Sequence, residues 1–238
     1  MTPRIWRSGS PAPPLPDPGS GPHLWLVRAP ETEPETETAT GGGWPATSVL
    51  DEAERRRAAA LRRPADRALY TAAHTALRHL LGGYLGIEPS RVPLTRLPCP
   101  GCGGPHGRPA VAGAGGGAVH FSLSHSGGLA LLGLAARPVG VDIERVPAPR
   151  VAEDAARALH PTEQAELADL PAASRPRAFA RCWTRKEARL KATGEGLSGG
   201  GPRALYLGTG PRPAGLPGWR IDDVRVPEGY AAACAVPR

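Results

Sequence analysis

Aromatic residues are scarce in this chain of 238 residues: two Phe, four Tyr and five Trp, 5% in all. That argues against a base-stacking nucleic-acid surface, which interleaves aromatics with its basic groups, and it favours helices built on Ala and Leu over aromatic-rich sheets. Cysteine is sparse too. Cys99, Cys102, Cys182 and Cys234 are too few and too scattered for a disulfide framework, so reduced thiols are expected. No stretch approaches the ~18 consecutive apolar residues of a membrane span, and the first twenty residues hold no apolar core of a secretory signal. The expectation is a cytoplasmic protein with neither a membrane nor a nucleic-acid partner.

Positive charge, by contrast, is plentiful. Lys and Arg number 29 against 22 Asp and Glu, a formal charge of +7. Such a chain suits an anionic partner, either a phosphorylated small molecule or an acidic protein. A hydrophobic fraction of 40% is enough for a real core.

Residues 1–20 contain six prolines and little that is apolar, which reads as a disordered leader. A first strand is expected at 23–29, then a threonine-rich acidic loop at 31–43. A helix should begin at Ser48, capped by Ser48 and Asp51, and a longer one near Asp66, with Leu69, Ala73, Ala76, Leu77, Leu80 and Tyr84 on one stripe and Gly86 at its end. Residues 98–117 are Gly- and Pro-rich and read as loop. Strands are expected at 119–124, 129–135 and 139–144, helices after Val151, after Thr162 and over 175–193, and strands at 204–208, 219–226 and 230–236. The order strand, helices, strands occurs twice. It predicts an α+β fold of two similar halves, 21–136 and 137–238, arranged as an intramolecular pseudo-dimer with the active site between them.

Three stretches can carry chemistry. In "VGVDIE", Asp142 and Glu144 stand two residues apart on a strand and therefore share a face. In "RCWTRKEARLKATGEGL", Glu187 and Lys191 are four apart on a helix, one turn above Trp183. "FSLSHSGG" ends a strand in Ser124, His125 and Ser126 before two glycines. A hard divalent cation such as Mg²⁺ takes carboxylate oxygens and keeps its other positions for water and phosphate. Asp142, Glu144 and Glu187 would supply that set, and Lys191, His125 and the Ser124 region suit the phosphates.

The strings "VGVDIERV", "FSLSHSGG" and "FARCWTRKEARLKATGEGL" closely resemble the signatures of the 4′-phosphopantetheinyl transferases of the surfactin-synthetase type. The resemblance runs from about Ser48 to Val236. It implies transfer of phosphopantetheine from coenzyme A to a serine of an acyl, peptidyl or aryl carrier protein, in polyketide or non-ribosomal peptide biosynthesis, with release of adenosine 3′,5′-bisphosphate. By the same resemblance Asp142, Glu144 and Glu187 hold Mg²⁺. The resemblance also makes Glu187 the favoured general base, directly or through a water, and gives Lys191 the role of neutralising phosphate charge; because Lys191 shares the helix face of Glu187, its charge is expected to keep that carboxylate ionised. His125 contacts the nucleotide phosphates beside Ser124. Gly107, Arg108 and Pro109 match a G-K-P element, and Arg57 matches a position that binds the 3′-phosphate. Leu69 and Gly128 depart from the pattern where related chains are often basic or bulkier; Arg62, Arg63 and Arg67 could compensate. The carrier is expected to be acidic and to dock near 175–185, and the chain is expected to be a monomer.

Two other classes share these residues: an Mg-dependent phosphoesterase, and a non-catalytic scaffold of the same fold. Separately, Cys99 and Cys102 form a C-x-x-C pair with His106 nearby. A structural zinc site takes four ligands, and no second C-x-x-C exists.

Overall fold

The computed structural model describes residues 1–7, 12–14, 21–29, 47–196 and 201–238. The fold is mixed α+β. A four-stranded sheet runs β1 (Arg4–Ile5), β2 (His23–Arg28), β6 (Leu129–Ala135), β5 (His120–Ser126), and a three-stranded sheet runs β7 (Gly140–Arg145), β9 (Tyr230–Pro237), β8 (Trp219–Asp223). A small hairpin pairs β3 (Leu94–Arg96) with β4 (Pro109–Val111). Helices α1 (Glu52–Ala59) and α2 (Pro64–Leu85) follow β2, while α3 (Pro149–Ala156), α4 (Pro161–Ala168) and α5 (Arg175–Thr193) follow β7. In both sheets the strand before the helices pairs antiparallel with the last strand, which pairs antiparallel with the one before it.

Strand alternation assigns each sheet two buried faces. Trp25, Val27, Leu132 and Leu134 pack with Leu69, Ala76 and Leu80 of α2. The neighbouring residues Leu24, Leu26, Leu129 and Leu131 turn the other way and meet Val141, Ile143, Ala232 and Cys234 of the second sheet. On that sheet's opposite face Ala233 and Ala235 pack on Ala188 and Ala192 of α5. Small side chains let helix and sheet come close. A Cβ on Gly140 would lie 1.9 Å from the Ala188 carbonyl oxygen, so only glycine allows α5 to cross β7 there. Asp142 and Glu144 share the face of Gly140 and therefore lie under α5, whereas Val141 and Ile143 enter the core between the sheets.

The two sheets are stitched along β5 and β7 by three alternate serines. The Val141 and Arg145 amides donate to Ser122 Oγ (3.0 Å) and Ser126 Oγ (3.1 Å), and Ser124 Oγ donates to Asp142 Oδ1 (2.7 Å). The β5–β6 hairpin closes through Gly127 and Gly128 at φ 55° and 92°, the two positive-φ residues a tight type I′ connection demands. A bulkier residue at 128 would be strained. Leu69 lies in the core, so a basic side chain there would displace apolar packing.

Several expectations from sequence are corrected. The first seven residues of the expected leader are placed: Arg4–Ile5 pairs in parallel with Trp25–Leu26, Trp6 is buried, and the Met1 amine donates to the Asp223 carbonyl (2.8 Å). A sheet edge supplies backbone partners that local composition cannot reveal. The acidic loop at 31–43 lies outside the described residues. Asp51, not Ser48, caps the first helix, in a capping box with Glu54. The expected loop at 98–117 contains β4, and the expected strand at 204–208 is absent. There the Leu207 and Gly208 amides donate to Glu163 Oε1 (2.7 and 3.1 Å), and the Pro202 carbonyl accepts from Lys186, so side chains take the bonds a strand partner would need. Among the described residues no helix is long and apolar enough to cross a membrane.

Candidate active site

A cleft of about 400 Å³ opens between the two sheets' helices, lined by α2, the β3–β4 hairpin and β5 on one side and by α5 on the other. Of the residues singled out in the sequence, Gly107, Arg108, Pro109, His125, Glu187 and Lys191 line it. Ser124 and Asp142 lie just beneath. Arg57 does not line the cleft. It is exposed on α1, close enough to Tyr70 for its charge to act on that phenol, and Tyr70 stacks on His74 of the wall at a ring separation of 4.0 Å.

The floor is a three-way contact. Lys191 Nζ lies 2.6 Å from Asp142 Oδ1 and donates to Ser124 Oγ at 3.0 Å, and Ser124 in turn donates to the same carboxylate oxygen. Asp142 is buried, and its Oδ2 has no hydrogen-bond partner. Around it the remaining carboxylates are pushed toward the neutral form. Burial first, then Asp142, raises both Glu144 and Glu187, and Glu187 itself raises Glu144 further. Lys191 was expected to hold Glu187 ionised. It does lower that group, but burial and Asp142 outweigh it. Its ammonium is engaged by Asp142.

An orphaned buried carboxylate oxygen beside two half-buried glutamates fits a divalent cation, because one lysine leaves the group acidic and an acceptor unfilled. Among the described residues the three carboxylates do not bring oxygens within 4.8 Å of one another.

The cationic wall is held from behind. Arg108 donates to the Ala192 carbonyl at the end of α5 (2.9 Å), and burial lowers its pKa. A Cβ on Gly107 would lie 2.3 Å from the Leu97 carbonyl oxygen, so this turn requires glycine. His125 is lowered by enclosure in the cleft, then by His74 and Lys191. The sequence reading missed His74 and Arg96, which also line the cleft, and considered His106, a third lining residue, only beside Cys99 and Cys102. His74 Nδ1 donates to Glu54 Oε1 at 2.9 Å, and Glu54 binds the buried Arg78 (2.5 Å), which also binds Asp51 (2.6 Å) and the carbonyls of 89, 90 and 92. A histidine four residues from Tyr70 on a helix was the available signal.

The α5 signature divides between two jobs. Glu187 and Lys191 face the cleft, while Arg185 and Lys186 are fully buried on the opposite side. Arg185 makes a paired contact with Asp223 (2.7 and 2.6 Å), and Lys186 pairs with the buried Glu163 at 2.6 Å. The arginines of the segment expected to dock a carrier, 175–185, differ in what they have free. Arg175 and Arg181 are bound to carbonyls, Arg185 is inaccessible, and Arg177 is the exposed guanidinium of the four.

Residues 138–211, which hold Asp142, Glu144, Glu187 and Lys191, match the sequence model of the 4′-phosphopantetheinyl transferase superfamily. The chain is similar to the 4′-phosphopantetheinyl transferase HetI of Nostoc sp., 34% identical over 219 residues that cover 90% of this chain and 86% of that protein. It is also similar to the 4′-phosphopantetheinyl transferase of Bacillus subtilis, 34% identical over 80 residues, or 34% of this chain and 35% of that one. The chain belongs to the 4′-phosphopantetheinyl transferase superfamily and is an enzyme of that class.

Proposed function

We propose that this enzyme moves the 4′-phosphopantetheine of coenzyme A to a serine hydroxyl of an acidic acyl or peptidyl carrier protein, with Mg²⁺, and releases adenosine 3′,5′-bisphosphate. The observation that carries this reading is the cleft itself, with His125 and Arg108 on one wall, Glu187 and Lys191 on the other, and an unpartnered oxygen of Asp142 below. Basic groups on both walls suit a diphosphate, and the carboxylate among them suits removal of a proton.

In this reading the serine oxygen bonds to the phosphorus nearest the pantetheine as the bond from that phosphorus to the bridging oxygen breaks. The hydroxyl proton goes to Glu187, directly or through a water, since a carboxylate within reach of the serine can serve as general base. Arg108 and His125 would bind phosphate oxygens and orient the donor, and Lys191 would take charge from the diphosphate while holding Asp142 in place. Asp142, Glu144 and Glu187 would hold the magnesium, which supplies neutralisation of diphosphate charge.

The matching strand orders β2-β6-β5 and β7-β9-β8, each with its helices after the first strand, support reading 21–136 and 137–238 as a single-chain pseudo-dimer. One chain then builds one site, and a monomer suffices. The test is incubation with coenzyme A, Mg²⁺ and an apo carrier protein. A carrier mass increased by one phosphopantetheine, absent without Mg²⁺, is expected. An unmodified carrier, or hydrolysis of coenzyme A alone, overturns the reading.

A further inference from the structure

We propose that Cys99, Cys102 and His106 form a second metal site, of the zinc type, with its fourth position open to water at the rim of the cleft. The thiol sulfurs and an imidazole nitrogen all lie within 4.8 Å of one another, a group distinct from the carboxylates both in place and in chemistry. Soft thiolates with imidazole select zinc, whereas Mg²⁺ takes oxygen. Cys102 Sγ is 3.0 Å from His106 Nε2. A tetrahedral zinc with bonds of about 2.3 and 2.0 Å needs about 3.5 Å between those atoms, so a small side-chain adjustment admits the ion.

The backbone is already folded as a knuckle. The Gly103 amide donates to the Cys99 carbonyl (2.7 Å) and the Cys99 amide to the Gly104 carbonyl (2.8 Å). Gly103 stands at φ 73°, and a Cβ on Gly104 would lie 3.0 Å from the His106 ring and 3.3 Å from Cys102 Sγ. Glycine at 104 leaves room for thiol and imidazole to converge. Cys99 is the buried ligand, and Cys102 and His106 are exposed. The objection that no second C-x-x-C exists falls away for a site of three protein ligands and a water. The next residues are Gly107, Arg108 and Pro109, so a metal here would staple a hairpin of two three-residue strands and hold Arg108 in the cleft wall.

The full chain, purified with Zn²⁺ present under a non-thiol reductant and dialysed against metal-free buffer, should retain one zinc per molecule by elemental analysis. Co²⁺ in its place should give a thiolate charge-transfer band and the strong visible bands of a four-coordinate ion. Cys102→Ser and His106→Gln should each lose the retained zinc and most of the cobalt spectrum while keeping the parent's circular dichroism, since both side chains are exposed. Removing the metal from the parent should speed proteolysis within 97–109. No zinc or cobalt spectrum in the parent, metal persisting in both variants, or a Cys99–Cys102 disulfide in the parent would overturn the proposal.

Discussion

Lys191 Nζ and Asp142 Oδ1 stand 2.6 Å apart, the lysine a third exposed and the aspartate buried. The pair joins α5 to β7, and its two ends are unequal. Asp142→Ala leaves a lysine that can rotate into water, so the fold should survive while most transfer activity is lost. Lys191→Met leaves a buried carboxylate without its cation and should cost at least about 1–3 kcal/mol. Urea unfolding of both variants checks this, and an Asp142→Ala enzyme with normal turnover would remove the aspartate from the reaction.

Glu187→Gln keeps the shape of the side chain and removes its capacity to take a proton. Turnover should fall by about 10²–10⁴-fold, with coenzyme A affinity nearly unchanged. Steady-state kinetics and calorimetric titration separate the two effects; a loss confined to affinity would make Glu187 a binding residue.

Gly140→Ala would press a methyl group onto the Ala188 carbonyl, 1.9 Å away. Overpacking of this kind costs about 1–3 kcal/mol, and the relief available is for β7 to move away from α5. Asp142 and Glu144 then separate from Glu187. The variant should lose activity out of proportion to its stability, which thermal unfolding and an assay at low temperature can resolve.

Lys186 and Glu163 form a buried ion pair, and both residues are 0% exposed. Lys186→Met strands Glu163 and should cost about 3–5 kcal/mol. The loosening should centre on 201–208, whose amides and carbonyls the pair holds, and hydrogen exchange should show it there first.

Arg177 remains available on the face where α5 begins. With an acidic carrier as partner, Arg177→Glu should raise the Michaelis constant for the carrier and leave that for coenzyme A alone. Added salt should do the same, because exposed charges are screened within ~10 Å at 0.1 M. Salt-independent carrier kinetics would point to apolar docking.

Local rules carried much of the fold. Gly86 and Gly194 end α2 and α5 in the left-handed conformation, as glycine at those positions suggests, and the strands at 129–135 and 139–144 show in their apolar content. The strand at Arg4–Ile5 and the missing strand at 204–208 were illegible because distant groups decide them: a sheet edge in one case, the Glu163 carboxylate in the other.

At the site, spacing alone placed Asp142 with Glu144 and Glu187 with Lys191, because the periods of strand and helix follow from backbone geometry. Which face each pair took was a tertiary matter. Gly140 lets α5 lie across β7, so the two carboxylates sit under a helix beside Lys191 instead of facing water. The same packing turned Arg185 and Lys186, adjacent to Glu187 in the chain, away from the cleft to Asp223 and Glu163. Neighbours along a helix diverge by its 3.6-residue turn, but only the surfaces brought against it by the rest of the chain determine which of them meets substrate and which is buried.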